Sequence, residues 1–236
     1  MKRTAASERT SLTRERVLRA ALELADAEGI ETLSMRRLGG RLGVEAMSLY
    51  NHVADKEDVL DGILDLVIGG IAVPESGADW RKAMRERAVS ARQAFRRHPW
   101  AAALMDSRTS SGPGRLRYFD ALVGALTGAG FPLEQAGRAL SVLDCYIYGF
   151  ALQRSNMASG GRERAEDRAG ELRDSAPTEA YPHLARMIEW TMEHGYDEDA
   201  DFEFGLSLIL DGLEQLLSAA RKRGRLPRQV RKARPD

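Results

Sequence analysis

The 236 residues are 43% hydrophobic and only 6% aromatic, enough apolar material for one large or two small cores, in a composition that favours helix over sheet. Lys/Arg and Asp/Glu balance at 35 each, which excludes a generic polyanion binder, but the charge is uneven: +2 over residues 1–56, −9 over 57–220 and +7 over 221–236. A lone Cys145 cannot close an intramolecular disulfide, no signal-peptide apolar region is visible, and the longest apolar run, "ILDLVIGGIAV", is short and holds Asp65; a soluble cytoplasmic protein without a membrane span is expected.

In chain order, residues 1–12 read as a flexible arm. From Thr13 to Glu28, Val17, Leu18, Ala21, Leu22, Leu24 and Ala25 recur at helical spacing, with Thr13 as N-cap and Gly29 as terminator. Ser34 caps a shorter helix, "MRRLGGRL", that Gly43 ends, and a third helix runs from about Ala46 to His52 or Val53. Asp55, with Asp58 three positions on, resembles a capping box and opens a fourth helix through Val59, Leu60, Ile63, Leu64, Val67 and Ile68. "AVPESGADW" breaks the pattern, placing a domain boundary near Pro74. Beyond it the spacing predicts helices over 80–97 (stopped by His98-Pro99), 114–129, 133–155, 181–194 and 200–222. "DSRTSSGPGR" reads as a loop, residues 156–180 as a mobile connection with at most a short helix, and the basic end 223–236 as a solvated, disordered tail. The fold class is therefore all-α, with a front domain over 13–73 and a larger helical body over 74–222.

Residues 34–53 meet the requirements of a helix-turn-helix. If Leu38, Leu42, Val44, Leu49 and Val53 are the buried set, Ala46, Met47, Ser48, Tyr50, Asn51 and His52 surround the exposed face of the second helix. Ala46 and Met47 suit a thymine methyl, Ser48, Asn51 and His52 suit base edges or phosphates, and Tyr50 and Lys56 suit phosphate oxygens. The helix starts at Ser34–Arg36 and Asp55–Glu57 also offer amides to phosphates. Spacing alone fits an ordinary helical hairpin with a solvated polar face as well.

The run "VLRAALELADAEGIETLSMRRLGGRLGVEAMSLYNHVADKEDVLDGI", above all "LGV…SLY.HV..K..VL", resembles the N-terminal domain of the tetracycline-repressor (TetR) family of bacterial transcription regulators. "GFPLEQAGRALSVLDCYIYGFALQ" and "FEFGLSLILDGLEQLL" resemble the regulatory domain of the tetracycline-repressor subgroup. The resemblance implies a homodimeric repressor on a palindromic operator of double-stranded DNA, released when a small molecule binds the body. Carried over by position, it gives Met35, Arg36, Ala46, Met47, Ser48, Tyr50, Asn51, His52 and Lys56 as DNA contacts. Arg36 is the choice for guanine, because its fork bridges O6 and N7. Ala46, Met47 and Asn51 differ from the tetracycline repressor, so no operator sequence is carried over.

In the body, Ala136, Leu140, Ile147 and Ala151 on one helix, and Phe202, Leu206, Ile209, Leu213, Leu216 and Leu217 on another, form apolar stripes suited to a four-helix dimer bundle. Burial inside one subunit is the alternative. The positions of the tetracycline repressor's metal-binding histidine, its partner-subunit carboxylate and a drug-contacting glutamine fall at Met105, Gln153 and near Leu122. No metal or cofactor is therefore expected, and the effector should be a less polar molecule than a magnesium chelate. Candidate pocket residues are Ile63, Leu66, Val67, Leu104, Met105, Leu122, Leu126, Leu143, Tyr146 and Phe150, with Asp144 either a polar anchor there or internally hydrogen-bonded. Cys145 reads as a small buried hydrophobe.

An enzyme is not expected. His52, His98, His183 and His194 are scattered, and no H-E-x-x-H, G-x-S-x-G or G-x-x-x-x-G-K motif is present. The remaining alternative is a helical protein-interaction adaptor with a vestigial helix-turn-helix.

Overall fold

The computed structural model describes residues 11–75, 77–108, 112–159, 170–174 and 180–224. Most of the expected N-terminal arm (1–10), of the basic tail (225–236) and of the 156–180 connection lies outside the described residues; within that connection, 170–174 is helical. Among the described residues every regular element is a helix, and no helix is long and apolar enough to cross a membrane. The chain divides into two compact units, residues 1–71 with 94–118, and 72–93 with 119–236. Residues 94–118, grouped by composition with the body, thus cluster with the front of the chain.

The first unit is built on α1 (Arg14–Glu28), α2 (Met35–Leu42), α3 (Ala46–Leu49) and α4 (Lys56–Gly69). Three of these starts have a side-chain cap, and α3 has none: Thr13 accepts the N–H of Arg16 at 3.2 Å, Ser34 that of Arg37 at 3.3 Å and Asp55 that of Asp58 at 2.8 Å. Gly43 ends α2 in the left-handed conformation (φ 70°, ψ 31°), which a side chain would strain. Val17, Ala21 and Leu24 of α1, Leu38, Leu49, Val53, and Ile63 and Leu64 of α4 are buried, whereas Leu42 and Val44 are only half-buried.

A helix that periodicity does not predict follows α5 (Trp80–Arg97): Pro99 starts α6 (Pro99–Ser107). Proline ends one helix but suits the first position of the next, where its missing N–H has no partner to lose. α6 packs on α1 and α4. At its start, one carboxylate of α1 gathers two groups: Asp26 accepts the Trp100 indole N–H at 2.8 Å and lies 2.8 Å from His98 Nδ1.

Four-residue spacing puts Glu57, Asp61 and Asp65 on one face of α4. Arg108, at the end of α6, pairs with the Glu57 and Asp61 carboxylates and donates to the Glu57 carbonyl at 3.2 Å. Asp65 accepts the N–H groups of Gly114 (3.0 Å) and Arg115 (2.7 Å) in the first turn of α7 (Pro113–Gly128). Gly112 and Gly114 lie so close that a Cβ on either would strike Asp65.

In the second unit α8 (Leu133–Ser159), four residues longer than its periodicity predicts, packs against α10 (Glu198–Gly224). Leu140, Leu143, Ile147, Phe202, Leu206, Leu210, Leu213 and Leu217 are all buried. α9 (Pro182–His194) lies between them in sequence and buries only Ile188. Tyr146, Phe150 and Phe202 cluster with ring centroids 5.1–6.1 Å apart, and the Tyr146 hydroxyl donates to the Phe202 carbonyl at 2.8 Å. Arg92 lies 4.8 Å from the Phe202 centroid and pairs with Glu198 at 2.8 Å and Asp199 at 2.6 Å. Burial opposes the Arg92 charge, but these two carboxylates outweigh it and raise its pKa above the ordinary value.

Candidate nucleic-acid interface

The turn between α2 and α3 depends on one glycine. A Cβ on Gly39 would stand 2.8 Å from the Val44 carbonyl oxygen and 3.2 Å from the Ala46 nitrogen, so only glycine lets α2 meet the start of α3 this closely. Leu49, with no exposed surface, anchors α3 from below. α3 itself is shorter than its periodicity predicts: the regular helix ends at Leu49, and residues 50–52 form a turn, begun by Tyr50 in right-handed helical conformation, in which the N–H groups of His52 and Val53 both reach the Leu49 carbonyl at 2.9 and 3.0 Å.

The nine sequence-predicted contacts lie on four segments of this frame. Met35 and Arg36 begin α2, half-buried and exposed respectively. On α3, Met47 is 75% exposed, between half-buried Ala46 and Ser48. Tyr50 and Asn51 are exposed on the turn, His52 is half-buried there, and half-buried Lys56 opens α4.

Ion pairing sorts the cations of this unit. Arg37 pairs with Glu28, Arg41 with Glu23 at 3.0 Å, and Arg14 with Asp58 at 2.6 Å. Arg14 holds the Asp58 carboxyl below the usual carboxylate range, and Asp58 raises the Arg14 pKa in return. Among the described residues Arg36 and Lys56 make no such pair, so their charge is available to an outside anion. The Arg14–Asp58 and Asp26–Trp100 pairs were not legible in the sequence; they join residues 44 and 74 positions apart, and no local pattern marks them.

The candidate pocket residues divide between the units. In the first, Ile63 and Val67 are buried, Leu66 is exposed on α4, and Leu104 and Met105 are half-buried on α6. In the second, Leu122, Leu126 and Leu143 are buried and Tyr146 and Phe150 belong to the aromatic cluster. Asp144 is internally paired: its carboxylate meets the guanidinium of Arg87, which has no exposed surface. Burial pushes the Asp144 carboxyl above its usual pKa against the pull of Arg87.

Two expectations for the body are corrected. Cys145 is exposed, because it projects from α8 on the side away from buried Leu143 and Ile147. Of the stripe expected to face a partner, Ala136, Leu140, Ile147, Phe202, Leu206, Leu213 and Leu217 are buried within this chain, Ala151 and Ile209 are half-buried, and only Leu216 is exposed. Both helices carry a second apolar face that periodicity did not separate from the first: Val142 on α8, and Phe204, Leu208 and Leu216 on α10, are 50–68% exposed.

Residues 17–63 match the family model for bacterial regulatory proteins of the tetR family, and residues 73–217 that for the tetracyclin repressor-like C-terminal domain. The chain is 33% identical over 220 residues to the HTH-type transcriptional repressor DrrR1 of Streptomyces coeruleorubidus, covering 89% of this chain and 80% of that protein. It is 32% identical over 210 residues to the class C tetracycline repressor protein of Escherichia coli, covering 87% and 92%. Among solved structures, the TetR family protein ActR of Streptomyces coelicolor in complex with actinorhodin superposes with a TM-score of 0.75 at 30% identity, covering 88% of this chain and 99% of that one. With both domains matched and the helix-turn-helix frame in place, the chain belongs to the TetR family of bacterial transcriptional regulators.

Proposed function

We propose that the chain is a ligand-responsive repressor that binds a palindromic operator as a homodimer and leaves it when a small, mostly apolar effector binds. The observation that carries DNA reading is the sorting of charge: Arg36 and Lys56 make no internal ion pair, while Arg14, Arg37 and Arg41 do. Unneutralised cations beside exposed Met47, Tyr50 and Asn51 suit a surface that meets phosphate and base edges together.

A two-fold partner is supported by Phe204, Leu208 and Leu216, large apolar side chains that a soluble monomer rarely leaves exposed in one row. On α8, exposed Gly137, Ser141, Cys145 and Gly149 recur every four residues and allow close helix approach. An organic effector is supported by ActR, solved in complex with actinorhodin. That it is not a magnesium chelate is supported by Met105, Gln153 and Leu122, which supply no metal-binding carboxylate or imidazole.

The test is a gel shift on the DNA upstream of the chain's own gene. Sequence-preferring binding at moderate salt is expected, and its absence would favour the adaptor reading. Replacing Lys56 by Ala should weaken binding to all sequences and lower the salt slope by about one. Replacing Arg36 by Ala should relax preference at a base position by about 1–3 kcal/mol. Oxidative cross-linking through Cys145, with sedimentation, reads the dimer: a stable monomer at micromolar concentration sinks it. Effectors are found by thermal-shift screening with and without DNA, since an inducer must favour the DNA-free state.

A further inference from the structure

We propose that Arg14 and Asp58 are positioning residues for base readout, holding the turn after α3 so that Tyr50, Asn51 and His52 meet DNA in one fixed arrangement. The inference rests on the DNA-reading function proposed above and deepens it.

The need for such a brace follows from the length of α3. Four residues, Ala46–Leu49, are regular, and a segment this short does not fix its own geometry. Three of the candidate contacts lie beyond it, on the 50–52 turn that runs directly into buried Val53. The turn is gripped from outside at two points. Arg14 places Nη1 2.7 Å from Asp58 Oδ2 and Nη2 2.6 Å from Oδ1, and the same Nη1 donates to the His52 carbonyl at 3.3 Å. Asp58 Oδ2 also accepts the Ala54 N–H at 2.8 Å. One ion pair therefore holds the backbone on both sides of Val53. Arg14 comes from α1 and Asp58 from α4, which pack directly on each other, so the grip is referred to the body of the domain.

Asp58 departs here from an ordinary capping box. Its N–H is capped by Asp55, but its carboxylate reaches past Asp55 to Ala54, one residue nearer the recognition segment. The two side chains are 47% and 27% exposed, and ion pairs this open add little to folding stability. A two-pronged guanidinium–carboxylate contact does fix orientation. The effect of the pair therefore falls on where the turn sits, and only weakly on whether the domain folds.

The test compares specific with non-specific binding. The wild-type protein first selects its preferred duplex from a random-sequence library, and affinities are then measured for that duplex and for a scrambled one. Arg14→Ala and Asp58→Asn should each lower affinity for the selected duplex about tenfold or more, the size of one misplaced base contact, with affinity for the scrambled duplex and the salt slope unchanged. The double variant should lose no more than the worse single, and selection repeated with either variant should return a blurred base preference.

Arg14→Lys keeps the charge but not the second prong, and should fall between wild type and Arg14→Ala; it carries the comparison if Asp58→Asn does not fold. A ratio of specific to non-specific affinity that stays at the wild-type value overturns the proposal. So does equal loss on both duplexes with a shallower salt slope, which would make Arg14 a phosphate ligand. Wild-type protein that selects no sequence removes the DNA-reading function itself, a result separate from wild type and variants that select equally well.

Discussion

The guanidinium of Arg87, fully enclosed in the second unit, has the carboxylate of Asp144 as its counter-ion. Removing one member of a buried ion pair costs far more than the intact pair stabilises. Asp144→Ala should therefore lower the unfolding free energy by about 3 kcal/mol or more, whereas Arg87→Met with Asp144→Leu should recover most of that loss. Urea unfolding of the two variants decides it; equal destabilisation by both would show that the pair is not what the site depends on.

Gly39 and Gly40 are neighbours in sequence with opposite expectations. A methyl group on Gly39 meets the backbone at Val44 and Ala46, which cannot swing aside, while one on Gly40 meets nothing within 4 Å. Gly39→Ala should loosen the α2–α3 turn, with a lower melting temperature and weakened DNA binding. Gly40→Ala should be neutral or stabilise by up to about 1 kcal/mol, since alanine is the better helix former. Thermal melts of the pair, each with its own gel shift, provide the comparison.

Asp65 caps α7 from a different helix. Asp65→Ala leaves the Gly114 and Arg115 N–H groups without their acceptor and should cost about 1 kcal/mol, the usual worth of an N-cap. Circular dichroism melts measure the loss; Asp65→Asn, which keeps an acceptor oxygen, should lose less.

Two carboxyls impose opposite pH slopes. Arg14 depresses the Asp58 pKa, so the stability Asp58 contributes is complete above the unfolded value of about 3.9 and is lost as pH falls through the lower native value. Burial raises the Asp144 pKa, so between the unfolded and native values the folded state holds the extra proton and stability falls as pH rises. Melting temperatures followed from about pH 3 to 7 should lose the first slope in Asp58→Asn and the second in Asp144→Asn.

Caps and turns were legible because their causes are local. Thr13, Ser34 and Asp55 each bond an N–H three residues on, and Gly43 takes a conformation that its residue type announces. α6 escaped because a proline such as Pro99 ends one helix and suits the start of the next equally, so spacing alone does not announce the second helix. The stripes on α8 and α10 misled for a different reason. Both helices are apolar on two sides, and spacing cannot say which side meets the chain's own core; burial assigns Leu206 and Leu213 inward and Phe204 and Leu208 outward. Of the candidate interface, the frame and the exposure of Met47, Tyr50 and Asn51 were legible, but the Arg14–Asp58 pair was not, since it depends on α1 and α4 being packed together.

The shallow anchoring of α3 bears on how such a protein changes its target. Its frame rests on Leu38, Gly39, Leu49 and Val53, while Met47, Tyr50 and Asn51 are exposed. Exchanges at solvent-facing positions of this kind usually alter stability by less than about 0.5 kcal/mol. Under the proposed DNA-reading function, retargeting to a new operator then proceeds one exposed position at a time, each step leaving a folded protein on which the next can act.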